Sequence, residues 1–167
     1  MSARRSGPAG FNQSVIREFR ANGGVVGGEL AGVPLLLLTT TDARRGRPRT
    51  TPLVYHRRGS RYVVIASNGG AARHPNWFLD LERDPDVTVE VGGATLPARA
   101  RILDGSERNA VFAAVVAQTP AAGAFQAKAG RVIPVLELEP LEAAAGQEDP
   151  PRGGRQLRGV PHLRFEE

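Results

Sequence analysis

Apolar and polar positions follow two rhythms along the chain. Phe11, Val15, Ile16 and Phe19 recur at helical spacing after Pro8, which predicts a helix that stops near Asn22-Gly23-Gly24. Gly27, Gly28 and Gly32 then punctuate a loop. The following segments predict strands. Residues 35–41 pass from leucine to threonine, 50–57 follow a polar turn, and 61–67 carry Val63, Val64 and Ile65 beyond the Gly59-Ser60 turn. Residues 86–91 place Val87, Val89 and Val91 on one face, and Gly92-Gly93 turns the chain into 94–103. A last strand is expected at 131–138, ended by Pro140. Helices are expected at 74–82, with Trp77, Phe78 and Leu81 on one side, at 106–117, with Val111, Phe112 and Val115 inward, and at 121–129.

About six strands, mostly joined by short turns, fit a small mixed barrel better than an alternating βαβ sheet. No Gly-x-Gly-x-x-Gly follows the first strand, so the doubly wound dinucleotide fold has no signature here. A length of 167 residues with 41% hydrophobic content is one domain with a real core. That domain is expected at 9–140, behind a disordered head at 1–8. Residues 141–167 are poor in apolar side chains, carry Pro150-Pro151 and Gly153-Gly154, and are expected to form a flexible tail.

The absence of cysteine excludes disulfides, thiolate catalysis, iron–sulfur clusters and cysteine zinc sites. Three scattered histidines (His56, His74, His162) give no basis for a metal centre. The longest apolar run, residues 33–38, is far short of a membrane span, and the first residues show no apolar stretch of a signal peptide. A cytoplasmic protein is expected. The stripe on helix 9–21 has two candidate resting places, the domain itself or a membrane surface, the latter making the protein membrane-peripheral.

Charge changes this picture through its placement. The chain carries a formal +5, and all its basic residues but Lys128 are arginine, a composition that suits a GC-rich, actinobacterial-like genome. Seven arginines (Arg44, Arg45, Arg47, Arg49, Arg57, Arg58 and Arg61) lie between Asp42 and Arg61 with one acid among them, so this segment alone holds +6. Such a cluster is either solvated loop charge or a site for phosphate or carboxylate, which the arginine fork grips in bidentate fashion. Nucleic acid is the weakest option, because no aromatic is interspersed between Asp42 and Pro52.

Four fragments in order carry a family resemblance: Pro34-Leu-Leu-Leu-Leu-Thr-Thr-Thr41, Gly46-Arg-Pro-Arg-Thr-Thr-Pro-Leu53, Ala66-Ser-Asn-Gly-Gly70 with Ala71-Ala72, and His74-Pro-Asn-Trp77. Arg131-Val-Ile-Pro134 and Leu138-Glu-Pro140 extend it. Over about residues 10–140 the chain resembles the deazaflavin (F420)-dependent nitroreductase family. The resemblance implies a mainly β fold with helices, a split β-barrel of the flavin-binding (FMN-binding-like) type. It implies coenzyme F420 in a groove on the barrel, its phosphate and acidic tail held by Arg44 and Arg49, with Arg45 and Arg47 adding contacts. Thr51, Pro52, Leu53 and Val54 would present backbone to the deazaflavin ring. Ala66, Ser67, Asn68, Gly69 and Gly70 would wrap the coenzyme, Arg73 would add a basic contact, and Trp77 would pack beside the site. For the residues themselves, blander roles stand alongside. Ser67–Gly70 also fits a simple strand-to-helix turn, His74 fits helix capping or packing as well as proton transfer, and Trp77 fits the core as well as a pocket wall.

The implied chemistry is hydride transfer from reduced F420 to a small conjugated acceptor, which needs no protein nucleophile, no catalytic acid–base dyad and no metal. Tyrosines line the acceptor pocket in the nitro-reducing branch; Thr119, Ala122 and Phe125 stand at those positions here. The lost hydroxyls put nitroaromatic reduction in question and favour quinone-like acceptors. Alternatives are a non-catalytic F420-, flavin- or haem-binding protein, an FMN- or FAD-dependent oxidoreductase on the same barrel, and a nucleic-acid- or membrane-associated structural protein. Monomer and homodimer are both open.

Overall fold

The computed structural model describes residues 8–141. The expectations for residues 1–7 and 142–167, a disordered head and a flexible tail, lie outside the described residues. The elements are α1 (Pro8–Ala21), β1 (Leu35–Thr41), β2 (Pro48–Val54), β3 (His56–Arg58), β4 (Arg61–Ile65), α2 (Asn76–Arg83), β5 (Asp86–Val91), β6 (Ala94–Ile102), α3 (Gly105–Gln118), α4 (Ala121–Ala129) and β7 (Val135–Pro140). Short 3-10 turns lie at Gly28–Leu30 and Asn68–Gly70.

One antiparallel sheet runs β2-β1-β5-β6-β7-β4-β3. Its two edge strands, β2 and β3, are consecutive in the chain and separated by Tyr55 alone. A single bent segment therefore supplies both edges, and the sheet must curl on itself into a split barrel. The expected continuous strand at 50–57 is broken at this point, which makes seven strands rather than six. The Tyr55 N–H donates to the Pro34 carbonyl at 3.1 Å, and its ring packs edge-on against Tyr62 with centroids 5.3 Å apart. The last strand starts later than expected, at Val135. The residues just before it are held in a loop: Ile133 N–H donates to Gln126 Oε1 at 2.9 Å, and Arg108 Nη2 donates to the Ile133 carbonyl at 2.7 Å.

Both faces of β1 are covered, which explains its unbroken leucine run. Leu36 and Leu38 point into the barrel with Tyr55, Val89, Leu96 and Leu136. Leu35 and Leu37 point outward against Val15, Ile16 and Phe19 of α1. Burial of these three side chains contributes about 1.5–3 kcal/mol each. The described apolar side chains of the α1 stripe thus rest on the domain rather than facing outward. Behind α1, Gly24 lies at φ +93, and a Cβ there would come within 2.6 Å of the Gly92 Cα. That close approach seats the loop on the β5–β6 hairpin, where Arg20 grips Glu90 with two bonds of 2.9 and 3.0 Å. On the other side of the barrel, α3 and α4 bring Val111, Val115 and Ala122 onto Val63 and Val135.

The arginine-rich segment is divided by β2. Arg57, Arg58 and Arg61 belong to the β3–β4 hairpin and are engaged there. The Arg57 guanidinium lies 4.7 Å from the Tyr62 ring centre, while Arg58 and Arg61 approach the buried carboxylate of Glu137 at 3.3 and 3.5 Å. Only the residues from Arg44 to Arg49 form a separate basic group.

Candidate functional site

That basic group is built by a turn. The Asp42 carboxylate accepts the Arg44 N–H at 2.7 Å and the Arg45 N–H at 3.2 Å, and Gly46, at φ +67, closes the reversal. These bonds, the one to Arg44 foremost, hold the Asp42 carboxyl below its ordinary value. Arg44, Arg45 and Arg47 are left exposed on the turn.

The β1–β2 register sets Arg49 opposite Thr40, and α2 brings Asp80 to meet both. Arg49 Nε donates to Asp80 Oδ2 at 2.7 Å, and Arg49 Nη2 donates to Asp42 Oδ2 at 2.9 Å. Asp80, buried, also accepts the Thr40 hydroxyl at 2.9 Å and the Ala43 N–H at 3.1 Å. Around these groups lies a cleft of about 430 Å³, whose lining includes Arg44, Arg45, Arg49, Arg73, Asp42 and Asp80. Four arginines against two carboxylates leave a positive surplus, and the exposed guanidiniums offer forked donors to phosphate or carboxylate.

Beside the cleft, residues 66–70 fold back on themselves. Asn68, Gly69 and Gly70 take φ values of 48, 63 and 83 in succession, which explains the glycines. Arg131 fastens this loop from beneath. It donates to the carbonyls of Ala71 at 3.1 Å, Ala66 at 3.2 Å, Ser67 at 3.3 Å and Arg73 at 3.0 Å. Its Nη1 donates to Nδ1 of His74 at 3.1 Å. Burial first, and the Arg131 charge second, push the His74 pKa down. His74 stacks on Phe78 with ring centres 4.6 Å apart, and Pro75 rather than His74 occupies the N-cap of α2, so packing is the role the structure gives it.

The structure gathers Arg44, Arg45, Arg49 and Arg73 around one cleft. Ala66–Gly70 is not part of that lining; the loop is tied to it by Asn68 Nδ2, which donates to the Arg73 carbonyl at 3.2 Å. Thr51, Pro52 and Leu53 are buried and Val54 half-buried on β2, an edge strand of the sheet. Trp77 is buried in the barrel core, where its Nε1 has no hydrogen-bond partner. Phe125 comes against the loop, since a Cβ on Gly70 would lie 3.3 Å from its backbone. Thr119 is buried and shares a hydrogen bond of 3.0 Å with Nε2 of His56, whose pKa burial lowers. Ala122 sits in the apolar cluster under α3.

Asp80 was given no role in the sequence, and Arg131 stood there only as part of the fragment 131–134. Asp80 had a signal: at helical spacing from Trp77, beside Leu81, it is an acid on the apolar face of α2. The role of Arg131 had none, because its acceptors are backbone carbonyls of another segment.

Residues 12–140 match the family model described as F420H(2)-dependent quinone reductase. An F420H(2)-dependent quinone reductase of Mycobacterium tuberculosis (strain ATCC 25618 / H37Rv) is 44% identical over 75 residues, 44% of this chain and 50% of that protein. The chain spans about half the length of the curated relatives it matches in this way. A solved F420-H2 dependent reductase (FDR-A) is 36% identical, with a TM-score of 0.59 over 64% of this chain and 94% of its own. A second structure, described as a domain-swapped dimer, is 34% identical, with a TM-score of 0.61 over 76% of this chain and 93% of its own. The family match takes in the barrel, the arginine turn and the loop fastened by Arg131, and the chain belongs to the F420H2-dependent quinone reductase family.

Proposed function

We propose that the protein is an oxidoreductase that moves a hydride from reduced F420 to a quinone-like acceptor. The observation that carries this reading, in a chain of this family, is the convergence of Arg44, Arg45, Arg49 and Arg73 on one cleft beside the Ala66–Gly70 loop. The positive surplus of that cleft suits a phosphate and an acidic tail. When bound, the reduced deazaflavin supplies a hydride at its C5 carbon.

The chain's own part is grip, placement and exclusion of water. Arg44, Arg45 and Arg73 take the anionic groups, and Arg49 holds the floor of the cleft between its two carboxylates. Edge-strand backbone at Thr51–Val54 would contact the ring, and Ala66–Gly70 would wrap the coenzyme, with Trp77 packing beside the site from the core. Phe125, with Thr119 and Ala122 behind it, forms the acceptor side. None of these three side chains carries a phenolic hydroxyl, which favours quinones over nitroaromatics.

Among the described residues no helix is long and apolar enough to cross a membrane. We place the protein in the cytoplasm, without a nucleic-acid partner, as a monomer or homodimer. Size-exclusion chromatography with light scattering distinguishes the two states.

Titration with F420 tests the function. A dissociation constant in the micromolar range, about −8 kcal/mol, is expected, with faster oxidation of the reduced coenzyme by menadione than by a nitroaromatic. Tight FMN copurifying with the protein, together with no F420 affinity, overturns the reading.

A further inference from the structure

The Asp80 carboxylate is where four segments meet. It stands on the face of α2 that otherwise buries Trp77, Phe78 and Leu81. Its three donors all come from elsewhere: Thr40 from β1, the Ala43 N–H from the arginine turn, and Arg49 from β2. Withdrawing a carboxylate from water is costly, and an apolar side chain would fill the same space without that cost. What the acid adds is direction. Its two oxygens are used separately, Oδ1 by Ala43 and Oδ2 by Thr40 and Arg49, so turn and strand are aligned by one rigid group. Asp42 holds a second nitrogen of the same guanidinium. The plane of Arg49 is thereby fixed, and the turn bearing Arg44 and Arg45 is fixed relative to it.

We propose that Asp80 is the positioning residue of the anion cleft, setting the convergence of its arginines on a single phosphate- or carboxylate-bearing ligand. The identity of that ligand rests on the coenzyme reading above; the geometry does not. Two physical pictures of the cleft then predict opposite signs. Asp80→Asn removes a negative charge from the lining. A cleft that works only as a positive field binds an anion more tightly after that change. A preorganised cleft binds it less tightly, because an amide has one acceptor oxygen where the carboxylate used two, and its NH2 faces a donor.

The experiment titrates wild type and Asp80→Asn with F420 and, in parallel, with tripolyphosphate, which carries the charge without the ring. Salt is held constant, and thermal melts confirm folding. The expected result is about tenfold or greater weakening for both ligands, the loss of one charged hydrogen bond's worth of alignment. In turnover, the KM for reduced F420 rises by a similar factor. The kcat at saturating coenzyme stays within about twofold, a split that general loss of structure does not produce. Thr40→Val keeps the charge and the bulk but removes one of the three donors, and about threefold weakening is expected. It decides the matter alone if Asp80→Asn fails to fold.

Unchanged or tighter binding in folded Asp80→Asn overturns the positioning role and leaves the coenzyme reading standing. Tripolyphosphate binding without F420 binding in the wild type overturns the coenzyme reading, and the tripolyphosphate pair then decides Asp80. Binding of neither ligand by the wild type overturns both.

Discussion

Arg131 and His74 are joined through Nη1 and Nδ1 at 3.1 Å, a contact that only a neutral imidazole accepts. The guanidinium has no acceptor atom, so the His74 proton sits on Nε2. The remaining hydrogen bonds of Arg131 run to four carbonyls between Ala66 and Arg73. Arg131→Met is expected to lower unfolding free energy by about 2–4 kcal/mol in urea, through several lost bonds to half-buried carbonyls. Arg131→Lys recovers only part of this, because an ammonium lacks the planar fork. F420 affinity should fall in both, in the same order.

Burial lowers the pKa of His56, and burial with the Arg131 charge lowers that of His74. Between the ordinary value of 6.5 and the folded values, the unfolded chain binds protons that the native chain does not. Stability should therefore decline as pH falls below about 6.5 and level off beneath the folded pKa values. Urea melts from pH 8 to pH 5 measure this decline. His56→Gln should flatten it; an unchanged slope removes His56 as a contributor.

Arginines around the cleft are expected to separate into two kinds. Arg44→Ala and Arg45→Ala should weaken F420 binding while leaving stability within about 0.5 kcal/mol, because both are exposed. Arg49→Ala should cost about 3 kcal/mol of stability besides affinity, since it leaves the buried Asp80 without its cation. Equal melting temperatures for all three variants would contradict this division.

Restoring phenols to the acceptor side should succeed at one position and fail at another. Phe125→Tyr adds a hydroxyl to a half-buried ring, and should raise turnover of a nitroaromatic relative to menadione at little cost in stability. Ala122→Tyr must fit a ring into the cluster of Val63, Val111, Val115 and Val135, with overpacking of about 3 kcal/mol or more. Thermal melts beside the two turnover assays compare them.

Gly24→Ala should destabilise the protein by about 2 kcal/mol or more, combining a left-handed backbone with the clash against Gly92. Gly23→Ala, with φ +60 and open space around it, should cost about 1 kcal/mol. The difference between them isolates the steric part.

Local pattern made much of the fold legible. β1 was bounded on both sides because its apolar run ends in threonines and an Asp42 turn, and β5 because its valines alternate without interruption. The break at Tyr55 was not legible. Strand propensity continues through it, and the bend follows from closure of the sheet. Arginine placement was half legible. The seven are neighbours in sequence, but three of them lie beyond β2, where Arg58 and Arg61 meet Glu107 and Glu137, far along the chain, and Arg57 lies over Tyr62. The turn that displays Arg44 and Arg45 could be seen. The carboxylate that aligns it shows in the sequence only as an acid on the apolar face of α2; its donors come together when α2 packs on the ends of β1 and β2.

The single segment that serves both sheet edges also governs how the chain folds. Closure cannot come from neighbouring hairpins, because Leu38 must register on Val89 and Val64 on Leu136 before Tyr55 has two edges to join. Such distant pairings are slow to find, since loop entropy is spent before they are rewarded. The cleft, whose walls come from β2, the arginine turn and α2, also waits on distant contacts, since Asp80 lies 40 residues from Thr40 and 31 from Arg49. An anion that binds it will act as a late-stage latch on the finished barrel, slowing its reopening more than it speeds its formation.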